Sequence, residues 1–138
     1  MILLDTNLLS EMFKPAPARH VEMWLNQQRA RDLYLSSVVL AEIEAGLAIM
    51  PDGRRKTKIT QDFYDTVSVF GDRVLMFDDV CAEAYGEIFA TRVRLGRPIE
   101  KFDCMIASTA IVHQCILATR NIKDFEGISR LKVVNPWN

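Results

Sequence analysis

At 138 residues, with 49% hydrophobic and 25% charged side chains, the chain has the size and make-up of one globular domain. No apolar run approaches the ~18–20 residues that span a bilayer, and the short N-terminal run meets Asp5 too soon for a secretory signal. A net charge of −1 excludes bulk attraction to nucleic acid, so any such contact must rest on local basic patches. The three cysteines, Cys81, Cys104 and Cys115, form no CxxC pair and read as reduced core residues of a cytoplasmic protein, which excludes a disulfide frame or zinc site.

In chain order, Ile2, Leu3 and Leu4 run without polar alternation, as a central parallel strand covered on both faces does. Asp5 ends the run, and Thr6-Asn7 are expected to cap a first helix through Leu8, Leu9 and Met12 that the Lys14–Pro17 stretch stops. Pro17 suits the first turn of a second helix carrying Val21, Trp24 and Leu25. Leu33–Ser36 reads as the second strand, and Ser36 or Ser37 as the cap of an apolar helix from Val38 to Met50. That helix carries two acids, Glu42 and Glu44. Both have apolar or small neighbours one turn away, so helical periodicity does not choose between them. Arg54-Arg55-Lys56-Thr57-Lys58 follows at a loop-to-helix junction. Most such runs are solvated surface, but this one is the best electrostatic candidate for contact with phosphate.

Ile59, Phe63, Val67 and Phe70 mark the buried face of a fourth helix that Gly71 stops. Arg73–Phe77 reads as the third strand, and Asp78 or Asp79 as the cap of a long helix from Val80 to Gly96. Pro98 resets the chain before Phe102–His113, a helix apolar nearly all round and therefore buried. Asp103 lies in its first turn. A buried carboxylate must be neutralised, hydrogen-bonded or bound to metal, unless the positive helix end alone satisfies it. Cys115–Thr119 is a fourth strand of central type, Arg120–Phe125 a loop after it, and Leu131–Val134 an edge strand.

Alternating strands and helices predict an α/β domain over residues 1–138, with a mostly parallel sheet between two helical layers. Ligands bind such sheets at the carboxyl ends of the strands. Asp5, Asp103 and Asp124 are expected to converge there, joined by Glu42 or Glu44. For a lone Asp5 the bland alternative is helix capping. Clustered carboxylates repel and take up protons unless a cation joins them. Magnesium or manganese suits an all-oxygen donor set, and metal-activated water would hydrolyse a phosphodiester. His20 and His113 are isolated from each other, and neither a nucleophile elbow nor a phosphate-cradling glycine loop is present.

MILLDTN, the helix SSVVLAEIEAGL, the helix FDCMIASTA and the segment LATRNIKDF occur in the order of the motifs of PIN-domain proteins. Over nearly the whole chain the sequence resembles the VapC-type toxins of bacterial toxin–antitoxin modules, in particular the FitB-like subgroup. The resemblance implies a three-layer α/β/α fold and a Mg2+- or Mn2+-dependent endoribonuclease. Residue by residue, it carries the catalytic and metal-binding acids onto Asp5, Glu42, Asp103 and Asp124, and so prefers Glu42 to Glu44. It also implies that Asn7 and Thr119 orient water or phosphate. It further implies a homodimer and a small antitoxin partner, with any assembly on operator DNA running through that antitoxin. The family's third motif usually has Ala where Ser108 stands, a change that touches local packing.

Two rival readings exist. A non-catalytic RNA- or partner-binding module on the same fold would keep binding RNA after metal removal. A phosphotransfer domain with Asp5 as nucleophile fits poorly, because the haloacid-dehalogenase pattern wants Asp where Asn7 stands.

Overall fold

A computed structural model describes residues 1–138. Strands β1 (Ile2–Leu4), β2 (Leu33–Ser36), β3 (Val74–Leu75), β4 (Ile116–Ala118) and β5 (Lys132–Val134) pair in the order β3-β2-β1-β4-β5, every pair parallel. Six helices connect them: α1 (Thr6–Glu11), α2 (Arg19–Asn26), α3 (Ser37–Ile49), α4 (Arg54–Phe70), α5 (Asp79–Arg94) and α6 (Lys101–Val112). The result is a three-layer α/β/α sandwich around a wholly parallel sheet. Leu3, Leu4, Leu35 and Leu117 are fully buried, which is why these strands read as unbroken apolar runs.

Strand order places the site. From β1 the chain moves outward to β2 and β3, then returns to the other side of β1 for β4 and β5. β1 and β4 are thus neighbours whose onward connections diverge, which opens a crevice beyond their carboxyl ends. Their register pairs Leu4 with Ala118, so Asp5 and Thr119 leave the sheet side by side. The Asp5 amide donates to the Ala118 carbonyl at 3.0 Å and holds that alignment one residue past the strand.

Several boundaries differ from those read in the sequence. α1 is capped by Asp5 itself, whose Oδ1 accepts from the Thr6 amide at 2.7 Å, and not by Thr6 or Asn7. β3 is two residues long because it is an edge strand: beyond it, the Phe77 amide donates to Ser37 Oγ and leaves the ladder. α4 begins at Arg54, so the basic run forms the start of the helix. α6 begins at Lys101, one residue earlier than the apolar pattern indicates, because the Glu100 carboxylate caps it through the Asp103 amide at 3.1 Å. α2 starts at Arg19, two residues past Pro17. Ser36 and Asp78 cap α3 and α5, and Gly71, at φ +56°, ends α4 in the left-handed region. No helix is long and apolar enough to cross a membrane.

Candidate active site

Asp5 is only 4% exposed, at the bottom of the crevice between β1 and β4. Each of its oxygens is engaged: Oδ1 accepts from the Thr6 amide, and Oδ2 accepts from Thr119 Oγ1 at 2.6 Å. Hydrogen bonds to a charged acceptor are worth about 1.5–3 kcal/mol each, enough to offset a large part of the penalty for burying a carboxylate. Burial still dominates and raises the Asp5 pKa above the ordinary carboxylate value. Thr119 and Thr6 pull the other way, and the Asp124 charge adds to the rise. Capping and site roles therefore coexist in one side chain. Thr119 is itself fully buried; its hydroxyl donates to Asp5 and accepts from the Asn121 amide at 3.1 Å. In this structure its hydroxyl faces Asp5 and not solvent. Asn7 is exposed on the first turn of α1.

α3 supplies Glu42. Its Oε1 accepts from Thr6 Oγ1 at 2.6 Å, so one threonine, next in sequence to Asp5, ties α1 to α3 through both acids. Burial raises the Glu42 pKa, Thr6 opposes the rise, and the charges of Asp5 and Glu100 add to it. Glu44 goes elsewhere: it is exposed and accepts from the Tyr64 hydroxyl of α4 at 2.8 Å. Helical periodicity left these two acids equivalent, and their partners on other helices separate them.

Asp103, in the first turn of α6, is half-buried, less enclosed than its apolar helix indicated. Its pKa is pushed up to about 7, first by burial and then by the charges of Asp5, Glu100, Asp124 and Glu42. Asp124 is exposed, on a single 3-10 turn from Ile122 to Phe125 after β4. The structure thus brings the four expected acids into mutual electrostatic range and adds a fifth, Glu100. Sequence reasoning passed over Glu100 because glutamate is not a favoured cap.

A second residue escaped the sequence altogether. Arg92 of α5 is 4% exposed, donates through Nε to the Arg97 carbonyl at 2.7 Å and through Nη1 to the Asp124 carbonyl at 2.8 Å, and forms no ion pair. It moors the turn that carries the fourth acid. The patterns that find helix faces assign a long cation near a helix end to solvent, and no local signal marks it otherwise. Ser108 is fully buried and donates to the Cys104 carbonyl of its own helix at 2.5 Å, so the hydroxyl is satisfied within α6.

No lysine or arginine forms an ion pair with Asp5, Glu42, Asp103 or Asp124. Carboxylates without a cationic partner offer the all-oxygen donors that a hard divalent cation takes. As they stand, no three of them form a ready-made cage. The set divides physically: Asp5 and Glu42 are fixed by hydroxyl and amide donors, whereas the Asp103 and Asp124 carboxylates accept no hydrogen bond and are free to turn inward. Oxygen chemistry and excess negative charge fit magnesium or manganese.

Comparison with known proteins agrees with this fold. Residues 2–131 match the family model described as the PIN domain. The VapC ribonuclease Y4jK of Sinorhizobium fredii is 38% identical over 99% of this chain and 98% of its own length. Toxin FitB of Neisseria gonorrhoeae is 34% identical over 100% and 99%. The solved structure of FitAB bound to an IR36 DNA fragment superposes with a TM-score of 0.91 at 34% identity, covering 100% of this chain and 96% of that one.

Proposed function

The chain belongs to the PIN-domain family, beside the VapC and FitB toxins, and from that premise we propose that it is a divalent-metal-dependent endoribonuclease serving as the toxin of a toxin–antitoxin module. The observation that carries the reading is the group of four acids at the strand-order switch, electrostatically coupled and without a basic partner. Asp5, Glu42, Asp103 and Asp124 would hold Mg2+ or Mn2+, and Glu100 adds negative charge near Asp103.

When bound, the cation lets the acids ionise together and supplies Lewis acidity for hydrolysis of a phosphodiester by water. The chain's own residues prepare the place. Thr119 and the Thr6 amide fix both oxygens of Asp5, and Thr6 Oγ1 fixes Glu42. Asp103, with its pKa about 7, holds or releases a proton at its carboxyl near neutral pH. Arg92 keeps the Asp124 turn against the sheet. Asn7, exposed on the first turn of α1, would orient water or phosphate. No histidine takes part, and the reading requires none.

The related proteins indicate the setting. One is named a ribonuclease and another a toxin, and the FitAB structure is of an assembly on DNA. We place this chain by analogy in the cytoplasm, as a homodimer neutralised by a cognate small antitoxin, with any operator binding made by that antitoxin. The test is cleavage of total RNA by the purified chain. Cleavage should vanish in EDTA, return with Mg2+ or Mn2+, and be absent in a folded Asp5→Asn variant. RNA binding with no cleavage under any metal would replace the enzyme with a binding module.

A further inference from the structure

Although the net charge is −1, cations are gathered in two depressions beside α1, the helix that follows Asp5. The larger, about 680 Å³, runs between α1 and helices α3 and α4. Thr6 and Glu42 line it, as do Arg54, Arg55 and Lys58, with Phe13 among its apolar walls. The second, about 430 Å³, is lined by Asn7, Arg120 and Trp137. Lys14 lines both, so they meet at the end of α1.

Ion pairing sorts these cations. Lys14 is bound to Glu11 at 2.7 Å and Lys58 to Asp62 at 3.0 Å. Arg54, Arg55 and Arg120 are exposed and form no ion pair. The Arg120 guanidinium lies over the Trp137 ring, 5.5 Å from its centroid, which holds the charge at the surface. An uncommitted arginine pair in one depression, which Glu42 also lines, and a braced arginine in the other, which Asn7 also lines, is charge complementarity to a polyanion that crosses α1.

We propose that a single strand of RNA is held across α1, its backbone phosphates on Arg54 and Arg55 in one depression and on Arg120 in the other. The apolar walls of the larger depression accept unstacked bases, which a duplex keeps inside; basic rims with apolar or aromatic surface between them are how single strands are gripped without base reading. An acidic segment of a protein partner would also meet Arg54 and Arg55. RNA accounts for the uncommitted cations in both depressions, because a polyanion that continues across α1 meets both. This inference rests on the ribonuclease reading for its choice of RNA as the polyanion.

The test uses the full chain with Arg54→Glu/Arg55→Glu or Arg120→Ala. Glutamate is favoured at a helix N-terminus, so the double variant keeps α4 folded, which thermal melting checks. The probe is a fluorescent single-stranded RNA of roughly 20 nucleotides, read by anisotropy at about 50 to 200 mM salt in an Asp5→Asn background that stops turnover. We expect affinity to fall about tenfold in the double variant. The slope of log K against log salt should flatten by about 1.4, two phosphates at ~0.7 each, and by ~0.7 in Arg120→Ala. Hydrolysis of bis(p-nitrophenyl) phosphate, a diester without flanking nucleotides, should fall far less than cleavage of RNA. Unchanged affinity and slope would overturn the proposal. So would variants that handle RNA normally but escape inhibition by a co-expressed antitoxin, which would make the groove a protein interface. Should the chain hydrolyse neither substrate yet lose RNA affinity and salt slope in the variants, the strand path stands and the ribonuclease reading fails.

Discussion

Asp103 and Arg92 show how a single side chain carries consequences that its own helix does not announce. In the folded chain the Asp103 carboxyl keeps its proton up to about 7, whereas in the unfolded chain it releases it near the ordinary 3.8. The folded state therefore binds more protons between these values, and the stability of the metal-free protein must fall as pH rises through that window. Asp5 and Glu42, also raised, contribute with the same sign. Asp103→Asn should remove the steepest part of the slope and melt ~3 °C higher than wild type at pH 8 in EDTA; a variant melting lower at that pH would contradict the placement of Asp103 among uncompensated acids. Arg92→Ala removes the charged donor from the Arg97 and Asp124 carbonyls and empties a buried side-chain site. It should cost about 2–3 kcal/mol in denaturant unfolding and weaken manganese binding by loosening the Asp124 turn. A loss under about 0.5 kcal/mol would mean that solvent replaces Arg92 freely.

Elements connect these side chains through few links, and the most consequential is Thr6 between α1 and α3. Thr6→Val keeps the shape and removes the hydroxyl. Glu42 then loses a partner worth about 1.5–3 kcal/mol as a charge-assisted bond. RNA cleavage should drop at least about tenfold, with the fold intact by circular dichroism; undiminished cleavage would release Glu42 from its assigned role. How far the elements could be read beforehand follows from the same physics. β1, β2 and β4 are central strands, and their continuous apolar runs announced them. β3 is an edge strand whose pairing stops after Leu75, because the chain there turns to Ser37, a tertiary contact no local pattern contains. The start of α6 was misplaced by one residue because its cap is a glutamate. Asp5 and Asp103 stood out as acids at element ends. Thr6, Glu100 and Arg92 did not, since each acquires its partner from a chain segment or cap geometry that exists only once the fold is made. Glu42 and Glu44 were inseparable by periodicity for the same reason: Thr6 and Tyr64 lie on other helices.

At the scale of the molecule, a parallel sheet whose strand order reverses at β1 and β4 brings Asp5, Glu42 and Asp124, from three separate segments, into electrostatic range of Asp103. Burial and mutual repulsion raise the pKa of Asp5, Glu42 and Asp103, so a cation bound among them would displace protons. Calorimetric titration of Mn2+ into the metal-free chain at pH 7, in buffers of different ionisation enthalpy, measures this directly. Binding should release a fraction of a proton, weaken at least about tenfold in Asp5→Asn, and lose its proton release in Asp103→Asn. Absence of binding, or binding that neither substitution alters, would contradict the assignment of these acids to a divalent cation.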